Sequence, residues 1–363
     1  MANKKIVIAG GGTGGHIFPA IAIAQALQKI DSGTDILFVG ANGKMEMEKV
    51  PQAGFKIEGL DIAGFNRSSL LKNVSLPFKL ANSFLKVRQI FKSYQPDAAV
   101  GVGGYSSFPV LRWAQHKDIP SFIHESNSFA GRANIMLGKK ATGVFVATDD
   151  MEKFFPREKI TVTGNPVRKS IVQSTITREQ AITAFGLDTG KKTILVVGGS
   201  LGAKSINEAI DAGLHKLTGE GFQLIWQTGR PYAKRAREAA YGIPGIWVNE
   251  FITEMEIAYA AADLIVSRAG AMAIAEIAVV KKPAVFVPYP FAAEDHQTAN
   301  AKKMESREAG LLVQDAHAVA TLIPVITALM KDEERMKRMK THLAAMAVTN
   351  ADEIIAQSIM LKI

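Results

Sequence analysis

Short runs of apolar and β-branched residues alternate along the chain with longer stretches in which apolar residues recur at helical spacing. These runs predict strands at residues 4–10, 35–40, 97–104, 121–125, 143–148, 160–164, 193–199, 222–227, 246–252, 264–270 and 283–289. Strands that alternate with helices form βαβ units, in which helices cover both faces of a parallel sheet. The pattern therefore predicts an α/β fold.

A weak internal repeat divides the chain into two halves. The residues KKIVIAGGGT at 4–13 align without gaps on KKTILVVGGS at 191–200, so each half opens with a strand, a glycine turn and a helix. A chain of 363 residues also exceeds the size at which one hydrophobic core usually keeps growing. We expect two doubly wound, Rossmann-like domains that face a central cleft, with a glycine turn of each at the carboxyl ends of its strands.

The proline of Gly164-Asn165-Pro166 interrupts the pattern directly after a strand, so a domain boundary is expected there. The first domain is predicted to comprise residues 1–166 and the second residues 167–340. A C-terminal helix from about residue 341 to 363 is expected to pack back on the first domain.

Composition limits which class of protein this chain can belong to and which partners it can bind. The net charge of +9 favours anionic partners, and no motif of a nucleic-acid-binding module occurs. The absence of cysteine excludes disulfides and thiolate metal sites. No apolar run approaches the roughly 20 residues that span a bilayer, and the start, MANKKIVIAGGG, lacks the parts of a signal peptide. We expect a soluble, cytoplasmic protein that binds phosphate groups or an anionic membrane, and no nucleic acid.

The first glycine turn matches a dinucleotide-binding pattern at Gly10, Gly12 and Gly15. In that fold a carboxylate ends the second strand and binds the ribose, but here the strand ends in Gly40, which disfavours an NAD-dependent oxidoreductase. Glycines at such a turn let backbone N–H groups approach an anion, and His16 would face the same site. The alternative is a tight turn in which His16 is only a polar cap.

The second glycine turn, GGSLG at residues 198–202, also matches the nucleophile elbow of α/β-hydrolases. Asp263 and His296 follow Ser200 in the chain order that this hydrolase triad requires. However, Ser200 aligns with Thr13 in the repeat, and a threonine turn in the other half makes phosphate binding the simpler interpretation of both turns.

Polar residues follow other predicted strands. Tyr105 lies in the glycine loop after one buried strand, and the strand at 121–125 ends in His124-Glu125. Asn127, two residues later, suits either a sugar hydroxyl or a helix cap. A zinc-binding H-E-x-x-H is excluded because Ser128 stands where the second histidine would be. The chain also contains no D-x-D metal clamp, so no metal site is predicted.

Three further segments suit the parts of a nucleotide sugar. Arg168, beside the expected boundary, would bind a phosphate or form a surface ion pair. Glu276, in an alanine-rich helical stretch, has two acceptor oxygens that suit a ribose diol. The segment 295–300 follows a strand and offers amide groups for sugar hydroxyls.

Seven motifs occur along the chain in this order: GGGTGGH, GGY, HExN, GNPVR, GGSxGA, SRAGA…E and Q-x-x-N. In this combination the chain resembles, over nearly its whole length, the lipid-linked N-acetylglucosaminyltransferases of bacterial cell-wall synthesis. The resemblance implies GT-B architecture, with the donor UDP-GlcNAc bound mainly by the second domain and no cofactor. It implies an inverting transfer of GlcNAc to the 4-hydroxyl of the muramyl sugar in undecaprenyl-diphosphate-linked muramyl-pentapeptide, which converts lipid I to lipid II. A UDP-GlcNAc 2-epimerase of the same fold and a non-catalytic role at the membrane are the alternatives.

Carried over by position, the resemblance implies a set of site residues. The substrate-binding residues are Thr13, Gly14, Gly15, Tyr105, Asn127, Asn134, Arg168, Ser200, Ile252, Ala271, Met272, Ala273, Ile274, Ala275, Glu276, Gln297 and Asn300. Within this set, Arg168 and Ser200 would contact the diphosphate, the Ile252 backbone would contact uracil, and Glu276 would contact the ribose. Ser126 replaces a glutamine that is common in the family and is too short for the same contact. His16 is the expected general base, with Glu125 and His124 as alternatives; His16 could instead bind the acceptor diphosphate as a cation.

A lipid acceptor requires a surface that meets the membrane, and the basic stretch at residues 67–94 suits it. Its lysines recur every seven residues and its apolar residues lie between them: Lys72, Lys79 and Lys86, with Leu70, Leu71, Phe78, Phe84 and Leu85. A helix is predicted from near Pro77. The expected location is peripheral, at the cytoplasmic face of the inner membrane, with cell-wall synthesis or division proteins as candidate partners. The alternative is an ordinary packed helix with a solvated basic face.

Overall fold

Two parallel β-sheets, one in each half of the chain, organise the computed structural model, which describes residues 3–62, 76–292 and 295–363. The chain divides into two units, Met1–Arg168 with Asn350–Ile363, and Lys169–Thr349. The elements of the first are β1 (Lys5–Ala9), α1 (Gly14–Ile30), β2 (Asp35–Ala41), α2 (Glu46–Gln52), β3 (Lys56–Leu60), α3 (Leu76–Tyr94), β4 (Ala98–Gly101), α4 (Ser107–His116), β5 (Ser121–Glu125), α5 (Arg132–Gly138), β6 (Gly143–Val146) and β7 (Ile160–Val162).

The second unit repeats the alternation of strands and helices. Its elements are α6 (Lys169–Val172), α7 (Arg178–Ala184), β8 (Thr193–Val197), α8 (Lys204–Gly219), β9 (Gln223–Gln227), α9 (Ala233–Ala240), β10 (Ile246–Asn249), α10 (Met255–Ala261), β11 (Leu264–Ser267), α11 (Ala271–Val280), β12 (Ala284–Phe286), α12 (His296–Ser306), β13 (Leu311–Leu312), α13 (Ala318–Lys331) and α14 (Glu333–Met346). The last helix, α15 (Ala351–Met360), belongs to the first unit. Short 3-10 helices lie at Arg157–Lys159, Arg230–Tyr232 and Asp315–His317.

The strand orders show why the two halves resemble each other. Over the described residues the first sheet runs β3-β2-β1-β4-β5-β6-β7 and the second β10-β9-β8-β11-β12-β13. The repeated strands, β1 and β8, each lie between the next strand in the chain and a strand that follows a crossover. Ligands of open parallel sheets bind at the carboxyl ends of strands at such a point, where the order reverses. The predicted doubly wound architecture is confirmed in both units.

Burial on both faces of the sheet explains the continuous apolar runs of the central strands. In β1, Ile6 and Ile8 pack into a cluster with α1 and α15, whereas Val7 and Ala9 pack into a second cluster with α3 and α4. Successive side chains of a strand point to opposite faces, so each face of β1 meets its own layer of helices.

Two strands were not predicted from the pattern. β3 and β13 both lie at sheet edges, and their side chains are mostly half-buried. β3 has Lys56 and Glu58 among its apolar residues and β13 is only two residues long, so neither has the apolar run from which the other strands were predicted.

The domain bounds differ from the sequence expectation at both ends. The first unit continues through Arg168 rather than ending at residue 166. Residues 341–346 belong to α14 of the second unit, so the segment that returns to the first unit begins at Asn350 and not near 341. Ile355 and Ile359 of α15 are fully buried in the cluster that contains Ile17 of α1, which attaches this helix.

We expect Ile355→Ala to destabilise the first unit by about 2–5 kcal/mol, because it removes a fully buried side chain between α15 and α1. The matched control is Leu361→Ala, directly after α15, where the side chain is 85% exposed and the change should be smaller than about 0.5 kcal/mol. Thermal unfolding, with hydrogen exchange of the β1 amides as the readout for the first unit, measures the stability of both variants. Equal stability of the two variants would show that α15 does not hold the first unit together.

Candidate functional site

The first glycine turn connects β1 to α1 and is held by the buried carboxylate of Glu46. Glu46 of α2 accepts hydrogen bonds from the N–H of Gly12 at 2.9 Å and of Ala41 at 3.0 Å. A side chain at Gly11 would collide with this carboxylate. Of the N–H groups that this turn is expected to present to an anion, that of Gly12 is therefore occupied by the Glu46 carboxylate. Thr13, Gly14 and Gly15 lie at the exposed or half-buried start of α1.

His16 is half-buried in the first turn of α1 and lies against two loops. Its Nδ1 is 3.1 Å from the carbonyl oxygen of Gly11. Since a carbonyl only accepts, Nδ1 carries the proton, and Nε2 is the basic nitrogen of the neutral ring. The loop after β4 approaches this ring so closely that a Cβ at Gly103, where φ is +95°, would lie 2.8 Å from Nε2. Tyr105, in the same loop, is exposed.

His124 is completely buried at the end of β5. Burial is the main reason that the pKa of His124 falls from 6.5 to about 4; a hydrogen bond to the Gly164 backbone opposes this shift, and neighbouring His16 adds to it. The imidazole is therefore neutral at physiological pH. Because no part of the side chain reaches the surface, the structure does not place His124 as a base for an acceptor hydroxyl.

Glu125, the last residue of β5, is buried and organises the loop that follows. One carboxylate oxygen accepts from the backbone and side-chain N–H groups of Asn127 at 3.1 and 3.3 Å, and the other from the N–H of Gly131 and the amide of Asn134 at 3.1 and 2.8 Å. Asn134 is itself buried in α5. Both carboxylate oxygens are thus engaged in holding the loop, and Asn134 is one of the groups that they bind. Asn127 is half-buried and does not cap α5, whose N-cap is Gly131.

Arg168, the last residue of the first unit, lies over the aromatic ring of Phe18 in α1, with 4.7 Å between the guanidinium carbon and the ring centroid. The segment before it is tied to the loop after β5, because the buried Asn165 donates to the carbonyl of Ser126 at 3.1 Å. Arg168 is half-buried, and Phe18, which it covers, lies two residues after His16 in α1. Arg168 belongs to the first unit rather than the second.

The second glycine turn, between β8 and α8, differs from the first in where its helix begins. Thr13 directly precedes α1, whereas α8 begins at Lys204, so Ser200 lies in the turn rather than at the helix start. Ser200 is exposed. Gly202, with φ at +75°, lies against the backbone of Thr228, and a side chain at Gly202 would collide with the Thr228 carbonyl. The glycine is required by this backbone contact.

The hydrolase interpretation of this turn fails on the position of Asp263. Its carboxylate accepts from Arg178 at 2.8 Å and from the N–H of Thr193, the first residue of β8, also at 2.8 Å. Asp263 therefore lies at the amino end of the strands, whereas Ser200 follows their carboxyl end. The two residues cannot belong to one catalytic triad.

The remaining site residues of the second unit lie around the start of α11. The first six residues of α11 are half-buried or buried: Ala271, Met272, Ala273, Ile274, Ala275 and Glu276. Glu276 accepts from the hydroxyl of Tyr259 at 2.9 Å. Asn300 is buried and donates to the carbonyl of Ala269 at 3.1 Å, so this amide holds the turn before α11. Gln297 accepts from the N–H of Tyr289 at 3.0 Å.

Two family models match the two halves of the chain. The glycosyltransferase family 28 N-terminal domain matches residues 6–146, and the glycosyltransferase family 28 C-terminal domain matches residues 193–355. The chain belongs to glycosyltransferase family 28.

A relative from Phocaeicola vulgatus, named UDP-N-acetylglucosamine--N-acetylmuramyl-(pentapeptide) pyrophosphoryl-undecaprenol N-acetylglucosamine transferase, is 49% identical over 98% of this chain and 96% of its own length. A crystal structure of Acinetobacter baumannii MurG is similar with a TM-score of 0.76 at 30% identity, over 99% of both chains. The family resemblance and the GT-B fold predicted from the sequence are confirmed. A UDP-GlcNAc 2-epimerase from Neisseria meningitidis, with a TM-score of 0.70 over 98% of this chain and 100% of its own, is only 17% identical and shares the fold.

Three residues of this family 28 chain, two of them buried and one half-buried, hold the glycine turns and site loops but were missed in the sequence. They are Glu46, Gln227 and Arg268, of which the last hydrogen-bonds to Ser205, Asp315 and the carbonyls of Val287 and Pro288. Glu46 and Gln227 lie outside the glycine motifs, whereas Arg268 lies within SRAGA, a motif that was considered only for Ala271 to Glu276. No spacing rule in the sequence links them to the turns that they contact.

No group of three or more histidine, aspartate or glutamate side chains in the part of the chain that the structure describes is arranged to hold a metal ion. Among the helices of residues 3–62, 76–292 and 295–363, none is both long and apolar enough to cross a bilayer.

The burial of His124 predicts a specific loss of stability in acid. Between pH 6.5 and 4 the unfolded chain binds a proton at His124 that the folded chain does not bind. The free energy of unfolding therefore falls as the pH falls through this window, by up to about 3 kcal/mol from this residue. Replacing it by glutamine should remove this part of the pH dependence.

Denaturant unfolding of the wild type and His124→Gln between pH 7.5 and 4 measures the difference. The control His116→Gln removes an exposed histidine of α4 and should leave the pH profile of the wild type unchanged. Parallel profiles for the wild type and His124→Gln would mean that His124 is not buried in its neutral form.

Proposed function

We propose that this chain transfers GlcNAc from UDP-GlcNAc, with inversion, to the 4-hydroxyl of the muramyl sugar of undecaprenyl-diphosphate-linked muramyl-pentapeptide. The observation that carries the proposal is the 49% identity, over nearly the full length of both chains, to a relative that is named for this transfer. The glycine turn of the second unit, at a point where the strand order reverses, supports it, because such turns bind phosphate-bearing ligands.

The second unit is proposed to bind the donor. Ser200 offers an exposed hydroxyl in the glycine turn, where it meets the diphosphate. Glu276, at the end of the second turn of α11, meets the ribose while Tyr259 orients its carboxylate. Gln297 meets the sugar, and the backbone of Ile252 meets uracil. Asn300 acts by holding the turn before α11.

The first unit is proposed to bind the acceptor and to activate its hydroxyl. His16 is the general base, because its Nδ1–H is fixed on the carbonyl of Gly11 and its Nε2 is the basic nitrogen. Glu125 supports this site as a positioning residue, since its carboxylate holds Asn127 in place. Arg168 and the Ser200 turn supply the charge and hydrogen bonds that stabilise the departing diphosphate, so the proposed transfer uses no metal or cofactor.

Helix α3 is proposed to bind an anionic membrane, which places the protein at the cytoplasmic face of the inner membrane. Its buried face consists of Ser83, Val87, Ile90 and Phe91. Phe78 and Leu85 are 73% and 58% exposed, on a surface shared with the exposed Lys79 and Lys86. Exposed aromatic and aliphatic side chains beside lysines are typical of a helix that lies on a lipid surface. Leu70, Leu71 and Lys72 lie outside the described residues. Contacts with cell-wall synthesis or division proteins are proposed from the family resemblance alone.

Incubation with UDP-GlcNAc and a soluble lipid I analogue tests the reaction, and we expect the disaccharide product. His16→Ala should lower kcat by about 10²–10⁴-fold, because it removes the proton acceptor, and should change the KM for UDP-GlcNAc less than threefold. The control His215→Ala removes an exposed histidine of α8 and should leave both constants unchanged.

Two results would contradict this proposal. Release of N-acetylmannosamine in place of a disaccharide would favour an epimerase. A His16→Ala variant that keeps more than a tenth of the wild-type kcat would exclude His16 as the base.

Charge reversal on α3 tests the membrane surface. Lys79→Glu with Lys86→Glu should lower binding to phosphatidylglycerol vesicles by about tenfold or more, because each lysine near an anionic surface contributes about 1 kcal/mol. Lys86→Glu also breaks an ion pair with Glu58, whose atoms are 2.9 Å apart, and part of the effect of this substitution comes from that loss. The ion pair is exposed and therefore weak. The matched control, Lys337→Glu with Arg338→Glu, reverses two exposed charges of α14. Equal vesicle binding by both double variants, at low and high salt, would show that α3 is not the membrane surface.

A further inference from the structure

Gln227 is the last residue of β9, and its side chain joins two loops of the second unit. Its amide nitrogen donates to the carbonyl of Gly199 at 3.0 Å, and its amide oxygen accepts from the N–H of Ile252 at 2.9 Å. The residue is only 2% exposed. Gly199 precedes Ser200 in the glycine turn, and Ile252 lies in the loop after β10.

The position of Gln227 in the sheet explains why one side chain reaches both loops. β9 pairs with β8 on one side and with β10 on the other, and Gln227 is opposite both Val197 and Asn249. The loops that follow these two strands therefore begin on either side of Gln227. Its backbone is well fixed, because the next residue, Thr228, donates from its N–H to Asn249 and accepts from Asn207 of α8.

The chemistry of the two contacts allows one orientation of the amide. A carbonyl at Gly199 requires a donor, and an N–H at Ile252 requires an acceptor. A glutamine supplies both at the correct length. A glutamate in its ionised form keeps the acceptor for Ile252 but turns a second acceptor toward the Gly199 carbonyl, in a buried position where that contact is unfavourable.

We propose that Gln227 is a positioning residue for the nucleotide, which sets the spacing between the turn that binds the diphosphate and the backbone that binds uracil. The proposal rests on the proposed function, because it takes UDP as the ligand of these two loops. With both loops attached to one buried amide, the two ends of UDP meet a preorganised site. Without this amide, part of the binding free energy must be used to order the loops.

Gln227→Glu separates the two contacts at a pH above the pKa of the introduced carboxyl, because below that pH the protonated carboxyl donates to Gly199 as the amide does. We expect its affinity for UDP to fall by about 10–100-fold, because the Ser200 turn is released, and its affinity for uridine to change less than threefold, because Ile252 keeps its acceptor. Gln227→Met, which has neither polar atom, should bind both UDP and uridine more weakly. The KM for UDP-GlcNAc of Gln227→Glu should rise by a similar factor, and kcat at saturating donor should stay within about threefold of the wild type.

The chain offers a matched control in Gln223, at the other end of the same strand. It is fully buried, accepts from the N–H of Asp188 at 3.0 Å, and donates to the carbonyl of Asp188 and the hydroxyl of Thr193 at 2.7 and 2.9 Å. These contacts lie at the amino edge of the sheet. Gln223→Glu should lower thermal stability about as much as Gln227→Glu while leaving the affinity for UDP and the KM for UDP-GlcNAc unchanged.

Calorimetry with UDP and an NMR titration with uridine measure these affinities, with Ser200→Ala as the reference for a lost diphosphate contact. If the wild type binds UDP and Gln227→Glu and Gln227→Met bind it as tightly, the inference about Gln227 is wrong and the proposed function stands. If Gln223→Glu lowers the affinity for UDP as much as Gln227→Glu does, the effect is one of general stability and the inference is again wrong. If the wild type itself does not bind UDP, the proposed function fails.

Discussion

In each unit a glycine turn at the carboxyl edge of a parallel sheet is held by one buried polar side chain, and the polarity of that contact determines what the turn can bind. Glu46 accepts from an N–H of the first turn, which places a carboxylate directly beneath it. Gln227 donates to a carbonyl of the second turn. The two turns have similar sequences, yet the first is held by a carboxylate and the second by an uncharged amide. This difference supports the proposal that the diphosphate binds at the second turn.

Burial separates the proposed base from the supporting groups in the first unit. His124 and Glu125 are adjacent in the chain and both have the chemistry of a base, but one is completely buried and the other accepts four hydrogen bonds. They stiffen the loop after β5. His16 remains half-buried, with its proton fixed on one nitrogen. Rigid support beneath a half-buried reactive group is what a preorganised site requires.

The fold follows from the sequence to a large extent, because a central parallel strand must be apolar on both faces. β1 and β8 have this pattern, and they occupy equivalent places in the two sheets. β3 has polar residues within it and β13 is only two residues long, and both escaped the prediction. The start of α8 at Lys204 also escaped it, because the aligned residues Thr13 and Ser200 are followed by backbones of different conformation. The site residues were predicted by position in the family motifs, but the motifs did not distinguish those that face solvent from those that hold a loop.

What the sequence determined by itself is the α/β architecture, its division into two similar units, the positions of the glycine turns and the family. These depend on the periodicity of neighbouring residues and on short motifs, which can be seen within a few positions of the chain. Only the tertiary structure decided which polar groups satisfy one another. Glu46 and Gly12 are 34 residues apart, and Gln227 lies 28 and 25 residues from Gly199 and Ile252. A buried polar group must find a partner wherever the packing of the strands places one, and chain separation does not limit that choice.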